Sequence, residues 1–324
     1  TPRTLTLSNS NFTNNGSIII HQYNTLDNTS SAGINLGIGT VTLLGGSLAS
    51  TANRTYTNSN LISGYGTIAA ALINNGMVEA TSGTLTLNAS SNYSTGITNN
   101  GIFKVDNGAT LIITPRSVSN NGNLEDTFKN YNVSTQTLSG GTYYVAGTLQ
   151  LPIQTSPTMR YIITNQANIT LDGPGALIRR NAGATNTLSS LTTNDTNGIF
   201  TLKNGHAFTT TAAFTNKGTV TVDSGSSFTA ASIKNSNKFN VTGTSSDKST
   251  IGGNVTNDAG AEFKVTDTAA VFTGNFINAG AFISDPSTIT FTNLTVQGSG
   301  YVQAGAGDTF KILNNFVNQS TQNE

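Results

Sequence analysis

The chain has no cysteine and no tryptophan, only two histidines, and few charged residues. Without cysteine, disulfide bonds and thiolate metal sites are excluded, and two histidines do not supply a histidine-rich metal site. Charged residues make up 9%, and 15 basic residues balance 15 acidic ones, so the formal net charge is zero. The sequence therefore lacks the basic field that attracts nucleic acid or an anionic membrane. We predict no cofactor, no metal and no nucleic-acid partner.

Long apolar segments are missing as well. No stretch approaches the roughly 18 consecutive apolar residues of a membrane-spanning helix, so we predict no transmembrane segment. The chain starts at Thr1 without an initiator methionine or an apolar leader, which predicts a mature or trimmed end. What remains is a chain rich in Thr, Asn, Ser and Gly, with 35% hydrophobic residues at regular spacing. This composition indicates a polar, uncharged β protein and not a disordered chain.

One pattern recurs along the chain: an apolar residue, any residue, asparagine, a short turn that often ends in glycine, and then alternating apolar positions. Phe12–Ile20 is one copy and Phe214–Val222 is another. Asparagines of successive clear copies lie roughly 19 to 25 residues apart. A second set of alternating apolar residues, such as Gly83–Leu87 or Gly147–Leu151, follows many copies. Each repeat unit is therefore predicted to hold two or three short strands separated by Asn/Gly turns.

A period near 20 residues with short alternating strands is typical of a β-solenoid. We predict an all-β fold, a parallel β-helix with about 20 residues per coil, whose coils stack about 4.8 Å apart and pair their backbones. Side chains that point inward would then form columns along the stack. One predicted column consists of Phe214, Ile233, Val255 and Phe276.

The repeated asparagine is predicted to lie at a turn and to bond to the equivalent asparagine one coil away. The glycine two positions further on is predicted to occupy a backbone conformation with positive φ. The predicted turn ladder consists of Asn74, Asn99, Asn120, Asn216, Asn235, Asn257 and Asn278.

We predict a single solenoid over residues 1–324, with an irregular segment at about residues 152–196. A short helical element around residues 184–191 is a further expectation for that segment. The residues that interrupt the repeat there are Pro152, Pro157, Pro174, Arg179 and Arg180.

The repeat resembles that of secreted bacterial parallel β-helix proteins, the autotransporter-passenger and filamentous-haemagglutinin-like group. The resemblance rests on the Asn-Asn-Gly turns, on Gly140–Leu149 and on Ile169–Ala176, and it covers nearly the whole chain. It implies a right-handed parallel β-helix in a secreted or surface-exposed protein with a structural or adhesive role. Its motifs are architectural and imply no reaction. The expected location is therefore extracellular or at the cell surface.

Parallel β-helices also include enzymes that act on polysaccharides, so the acidic residues matter. Glu125 and Asp126 would point to opposite faces of a strand, which does not suit a catalytic pair. Asp258 and Glu262 lie near a turn, and the acidic residues that neighbouring coils would bring near them are Asp267 and Asp285. Solvated surface charges are the simpler interpretation of all six. We predict that the protein is not an enzyme and has no catalytic residues.

The sequence also offers only a few candidate residues for ligand binding. Tyr143 and Tyr144, together with Thr-x-Thr pairs, would allow sugar rings to stack on an exposed face. Arg179 and Arg180 form a small basic cluster, which is interpreted as a solvated loop end. The remaining candidates are Asp106 and Asp223 as calcium ligands, and His21 and His206, both interpreted as surface residues.

Both ends of the chain continue the strand pattern without a cap, although a soluble solenoid needs capping at its ends. The last motif stops a few residues before the C-terminus. If the C-terminus of one copy meets the N-terminus of a second, these last residues and the roughly 14 residues up to the first asparagine of the second copy make about 20 residues, the length of one coil. Such a contact is heterologous, does not close and generates a filament. The predicted subunit-interface residues are Leu5, Leu7, Phe12, Asn14, Phe310, Ile312, Phe316 and Asn318.

The predicted function is that of an extracellular structural protein, a β-solenoid rod that self-assembles head-to-tail into a surface or matrix filament. One alternative is a monomeric adhesin-like rod that binds glycans or surfaces. A second alternative is a polysaccharide-active β-helix enzyme. The predicted partners are therefore further copies of the chain, with glycans or cell surfaces as the alternative.

Overall fold

The computed structural model describes residues 1–9, 11–89, 96–114, 128–152, 161–180 and 186–322. All regular structure in these residues is β-strand, and they contain no helix. Almost all paired strands are parallel and stack as β-solenoid turns, about 14 in all, which follow one another roughly every 21 residues; Tyr131–Asn132 pairs antiparallel with the strand that follows it. The predicted all-β fold and solenoid architecture are therefore confirmed.

The first sixteen strands are β1 (Arg3–Leu7), β2 (Ser17–His21), β3 (Asn24–Asn28), β4 (Ile34–Asn35), β5 (Thr40–Ala49), β6 (Thr55–Asn58), β7 (Leu61–Ala69), β8 (Ala71–Asn74), β9 (Met77–Leu87), β10 (Ile97–Asn99), β11 (Ile102–Val105), β12 (Thr110–Ile113), β13 (Tyr131–Asn132), β14 (Thr137–Val145), β15 (Thr148–Leu151) and β16 (Thr164–Asp172).

The other strands are β17 (Leu177–Arg180), β18 (Thr193–Asn194), β19 (Ile199–Lys203), β20 (Ala207–Thr209), β21 (Ala213–Asn216), β22 (Thr219–Asp223), β23 (Ser227–Asn235), β24 (Lys238–Thr242), β25 (Lys248–Asn257), β26 (Glu262–Thr266), β27 (Thr268–Asn278), β28 (Ala281–Ser284), β29 (Ser287–Gly298), β30 (Tyr301–Ala304), β31 (Thr309–Ile312) and β32 (Phe316–Ser320).

The chain divides into two compact units. Unit 1 comprises Thr1–Tyr161 and Gly175–Thr187, and unit 2 comprises Ile162–Pro174 and Leu188–Glu324. Each unit is built from stacked parallel strands. One uninterrupted solenoid over residues 1–324 stays a prediction.

In unit 1 the strand register places equivalent side chains above one another. Strands β1, β3, β5 and β7 align Leu5 with Leu26, then with Leu48 and Ile68. The last three are at most 3% exposed. Because successive side chains of a strand alternate between its two faces, every second residue enters this column. Burying each such aliphatic side chain stabilises the fold by about 1.5–3 kcal/mol.

In unit 2 the predicted column exists. Strands β21, β23, β25 and β27 align Phe214 with Ile233, Val255 and Phe276, and each of the four is 1% exposed. The C-terminal half of unit 2 then widens this core with aromatic rings. The Phe276 ring lies 4.9–5.4 Å, centroid to centroid, from four others, namely Phe263, Phe272, Phe282 and Phe291.

The glycines of the repeated turn correct one expectation. Gly76, Gly101 and Gly218 follow ladder asparagines by two positions, but none of them has positive φ. Instead, a Cβ at these positions would overlap a carbonyl oxygen of the preceding coil, which belongs to Asn60, Gly76 and Gly198 respectively. Glycine is required there because two backbones approach each other closely.

The helical element expected around residues 184–191 is not found in its described part, residues 186–191, which form a bridge and turns. Leu191 N donates to Leu188 O at 3.0 Å, and both leucines are fully buried. This part of the chain therefore forms a turn that places two leucines in the interior. Within the segment predicted to be irregular, β16 pairs in regular parallel register with β18 and β19.

Candidate functional site: the asparagine ladder and the terminal coils

A ladder of buried asparagine amides runs through unit 2. Asn216 Nδ2 donates to Asn235 Oδ1, Asn235 to Asn257, and Asn257 to Asn278, each at 2.8 Å. All four residues are fully buried. Each Nδ2 also donates to a backbone carbonyl of the following coil; for Asn216 this is Lys238 O, at 2.7 Å. Every donor in this part of the ladder points toward the C-terminal end of unit 2.

Unit 1 contains a shorter ladder, in which Asn58 Nδ2 donates to Asn74 Oδ1 at 2.7 Å and Asn74 donates to Asn99 at 2.8 Å. Asn120 lies outside the described residues. Sequence reasoning missed Asn58, Asn165 and Asn194. Asn58 and Asn165 follow an apolar residue by two positions, whereas Asn194 follows Thr192. None of the three has a glycine two residues later.

The local turn explains why asparagine occupies these positions. Its Oδ1 accepts the backbone N–H of the residue two positions further on, which closes an Asx turn. Gly218 N donates to Asn216 Oδ1 at 3.2 Å, and Gly16 N donates to Asn14 Oδ1 at 3.1 Å. Ser320 N does the same to Asn318 Oδ1 at 3.0 Å. The first and last asparagines of the repeat therefore form the same turn as the interior ones.

The N-terminal coil of unit 1 leaves one edge of its strands unpaired. Among the described residues, β1 pairs only with β3, and β2 pairs only with β5. Leu5 lies in the column of the buried Leu26, yet it is 65% exposed. Leu7 and Phe12 are half-buried. Apolar positions that are covered in the interior of unit 1 are therefore open to solvent here.

Asn14 and Gly16 also lack contacts that the equivalent residues of interior coils make. Asn14 Nδ2 donates to Thr40 O in the following coil at 3.1 Å. Within the described chain, Asn14 Oδ1 accepts only the turn N–H and no asparagine amide. No atom would lie within 4 Å of a Cβ at Gly16, whereas the equivalent Gly101 faces the Gly76 carbonyl. The chain thus has glycine at a position where its own fold does not require it.

The C-terminal coil of unit 2 has the opposite free edge. Strand β30 pairs only with β28, and β31 and β32 pair only with β29, among the described residues. Phe310 and Ile312 are half-buried. Phe316 lies in the column of Leu294, which is 3% exposed, but is itself 57% exposed. This coil also leaves apolar column residues uncovered.

The asparagine ladder stops before this coil and then restarts. Val296 occupies the position between Asn278 and Asn318. Asn278 Nδ2 therefore donates to Tyr301 O, at 2.8 Å, and not to an amide. Asn318 is exposed, and its Nδ2 has no acceptor in the part of the chain that the structure describes.

A second asparagine column, which the sequence reasoning missed, runs along the outside of unit 2. Asn275 N donates to Asn254 Oδ1 at 3.0 Å, Asn293 Nδ2 to Asn275 Oδ1 at 2.9 Å, and Asn315 Nδ2 to Asn293 Oδ1 at 3.2 Å. These bonds are exposed to solvent. The similar spacing of the four asparagines was the available signal. Asn293 and Asn315 follow an apolar residue by two positions, as in the repeat, but Asn254 and Asn275 do not.

The acidic residues considered for catalysis have structural partners or lie at turns. Asp258 accepts Ser236 Oγ at 2.6 Å and faces Lys234 Nζ at 3.4 Å. Glu262 lies opposite Lys238 in the strand register. Asp267 and Asp285 follow β26 and β28, and Glu125 and Asp126 lie outside the described residues. No group of three His, Cys, Asp or Glu residues in the described ranges is arranged to hold a metal ion.

The candidate calcium ligands also have protein partners. Asp106 Oδ1 lies 3.0 Å from Lys104 Nζ, which also contacts Glu79. The hydrogen bond to Glu79, followed by that to Asp106, raises the pKa of Lys104. Asp223 accepts Thr242 Oγ1 at 3.0 Å.

Two expectations about exposed side chains are wrong. Tyr143 is fully buried, because it aligns with the inward Phe103, and Tyr144 aligns with the outward Lys104. Burial raises the pKa of the Tyr143 hydroxyl. His206 is only 4% exposed, and its Nδ1 lies 2.8 Å from Gly173 O. Burial lowers the pKa of this imidazole.

The other two candidates lie at the surface. His21 is exposed, and Arg179 and Arg180 are half-buried at the end of β17. Within the described residues, no helix is long and apolar enough to cross a membrane.

Comparison of the chain with protein-family models, curated proteins and solved structures finds no match. The β-solenoid architecture therefore rests on the fold itself, and relationship to the secreted bacterial group stays a resemblance.

Proposed function

We propose that the chain is an extracellular structural protein whose β-solenoid assembles head-to-tail into a surface or matrix filament. The extracellular location follows the resemblance to secreted β-helix proteins. The self-assembly follows the state of the terminal coils. The role is not catalytic: the described carboxylates considered for catalysis lie in ion pairs, in strand register with lysine, or at turns.

The observation that carries the proposal is the complementary state of Asn318 and Asn14. Interior ladder asparagines donate Nδ2 to the next asparagine and accept from the previous one. Asn318 has a free donor, and Asn14 has a free acceptor lone pair, within the described chain. In a head-to-tail contact, Asn318 of one copy donates to Asn14 of the next and continues the ladder. Hydrogen bonds from amide to amide along stacked strands are a general source of stability in such assemblies.

Gly16 supports the proposal independently. In interior coils, glycine at this position leaves room for the carbonyl of the preceding coil. At Gly16 that room is empty, and a C-terminal coil of another copy would fill it. A parallel strand added to the free edge of β2 would approach as closely as the interior coils approach each other.

Apolar side chains complete the proposed contact. The N-terminal coil presents partly exposed residues in its columns, and so does the C-terminal coil. Covering them would remove apolar surface from water at about 25 cal/mol per Å². The residues proposed for this interface are Leu5, Leu7 and Phe12 on one side, and Phe310, Ile312 and Phe316 on the other.

The two surfaces are different, so the contact is heterologous and each added copy presents a new free end. This geometry produces filaments and not closed dimers. The free edges of the two coils are also the two opposite edges of parallel strands. A contact between unlike ends therefore continues the parallel pairing of the coils, whereas two identical ends would have to pair antiparallel.

The test compares wild type with Phe316→Asp and Val317→Asp. Both residues lie in β32, but Phe316 is in a column and Val317 aligns with the outward Thr295. In sedimentation velocity and negative-stain electron microscopy, wild type should grow with concentration into long uniform fibres. Phe316→Asp should stay monomeric, because a charge would be buried in the contact. Val317→Asp should still assemble.

Circular dichroism of both variants checks that the β-sheet content is unchanged. A wild type that stays monomeric at every concentration would contradict the proposal. Equal assembly of wild type and Phe316→Asp would contradict it too.

A further inference from the structure

A shallow groove on the side of unit 1, about 370 Å³ in volume, lies beside the N-terminal coil but is lined by none of the residues proposed for the assembly interface. Its floor is the bend of β5 at Gly45 and Gly46, and Tyr23 stands at its margin in the turn between β2 and β3. No charged residue lines it. The polar residues that line it are Gln22, Asn24, Thr25, Ser47 and Thr67.

These polar side chains are free to bind a ligand. Within the described residues, none of the five makes a side-chain hydrogen bond to the protein. Elsewhere on the surface, comparable side chains bond to one another, as Asn293 does to Asn275. The groove therefore presents a cluster of uncharged hydrogen-bond donors and acceptors.

Two tyrosines add an aromatic surface beside this cluster. Tyr23 is 70% exposed and Tyr65 is 39% exposed. The Tyr65 ring lies close to Gly45: a Cβ at residue 45 would come within 3.3 Å of the ring and 3.2 Å of the Gln22 side chain. Tyr23 has φ of 67°, a left-handed conformation that is unusual for a bulky residue. Backbone strain of this kind is concentrated at ligand-binding positions.

We propose that this groove binds an uncharged carbohydrate. A sugar ring has a face of C–H groups that packs on a tyrosine ring and a rim of hydroxyls that bonds to amide and hydroxyl side chains. The absence of charge in the lining favours a neutral saccharide over a sulfated or uronic-acid one. Because none of the residues proposed for the interface lines the groove, this binding does not depend on head-to-tail assembly.

The test titrates the full chain with neutral chito-, cello- and manno-oligosaccharides, and with a heparin oligosaccharide as the anionic comparison. Saturation-transfer NMR reports contact, and calorimetry reports affinity. Tyr23→Asn removes the ring and keeps a residue that tolerates positive φ. It should weaken binding of a neutral oligosaccharide about tenfold, as should Tyr65→Thr. Ile38→Ala is the matched control, since Ile38 is 73% exposed in the same unit but does not line the groove.

Thermal unfolding separates lost binding from lost folding, because Tyr23→Asn relieves strain and should not lower the melting temperature. Phe316→Asp should bind sugar like wild type, which keeps this result distinct from failure of the assembly proposal. The inference is overturned if no neutral oligosaccharide binds, if both tyrosine variants bind like wild type, or if only the heparin oligosaccharide binds.

Discussion

Interior and terminal coils of unit 2 use the same motif with opposite consequences for exposure. Phe276 and Phe316 each precede a ladder-position asparagine by two residues and lie in one column. Phe276 is 1% exposed and Phe316 is 57% exposed. The residue type does not change between the two coils; only the neighbouring coil is missing. The terminal coil therefore has the composition of a covered coil.

Unit 1 gives the same contrast with glycine. Gly101 faces the carbonyl of Gly76, while the equivalent Gly16 faces empty space. A dedicated cap would show polar or charged replacements at such positions. Their absence from these two described coils supports the assembly proposal.

The largest expected difference in the free energy of unfolding is that between Phe276→Ala and Phe316→Ala. Phe276 has four ring neighbours, so truncation leaves a cavity and should lower the free energy of unfolding by about 3–5 kcal/mol. Phe316→Ala should change the stability of the monomer by less than about 1 kcal/mol, because the ring is already half in water. Urea unfolding at a concentration below assembly measures both. Equal losses would show that the end coil is packed like the interior.

The next effect concerns the buried ladder. Asn235→Ala removes a donor to Asn257 and Glu262 O and an acceptor for Asn216, all in a buried site. Leaving such groups unsatisfied should lower the free energy of unfolding by about 3 kcal/mol. Asn275→Ala, in the solvent-exposed column, should cost less than about 1 kcal/mol because water replaces the amide. Equal costs in urea unfolding would contradict the assigned difference between the two columns.

Glycine substitutions test the difference between the interior and terminal coils of unit 1. Gly101→Ala places a methyl group against the Gly76 carbonyl and should destabilise the monomer by about 1–3 kcal/mol. Gly16→Ala meets nothing in the monomer and should leave its melting temperature unchanged, yet it should inhibit assembly. Differential scanning calorimetry of dilute protein and light scattering of concentrated protein measure the two properties. Normal assembly of Gly16→Ala would contradict a close approach at this edge.

The smallest effect depends on pH. Because burial lowers the pKa of His206 below 6.5, the unfolded chain binds this proton more readily. Stability is then fully present above about pH 6.5 and is lost as pH falls toward the folded pKa, by at most about 1.4 kcal/mol per pH unit. His206→Gln should flatten this part of the stability profile, measured by urea unfolding from about pH 7 to pH 5. An unchanged pH profile in the His206→Gln variant would contradict the assignment to burial.

Periodicity was enough to predict the solenoid and the column of Phe214, because inward positions recur at a fixed interval when coils stack. Periodicity did not predict the role of Gly76, since backbone approach depends on coil spacing and not on local conformation. It also misplaced Tyr143, whose adjacent partner Tyr144 has the same residue type but the opposite face. Distinguishing them requires the register with Phe103 in the neighbouring strand.

The pattern also missed Asn58 and Asn194. Their turns lack a glycine two residues after the asparagine, which marked most of the other copies, although the amide hydrogen bonds need only the asparagine. The groove beside Tyr23 was not predictable at all, because it depends on how the β5 bend lies against the turn before β3.

The central claim is that the free edges of the terminal coils become paired in an assembly. Hydrogen exchange with mass spectrometry, on dilute and concentrated samples of the same protein, tests it most directly. Amides of β1, β2, β31 and β32 should exchange rapidly in the dilute sample and become protected on concentration, while those of β27 stay protected in both. Unchanged rapid exchange of the terminal strands in fibres or concentrated protein would contradict the account.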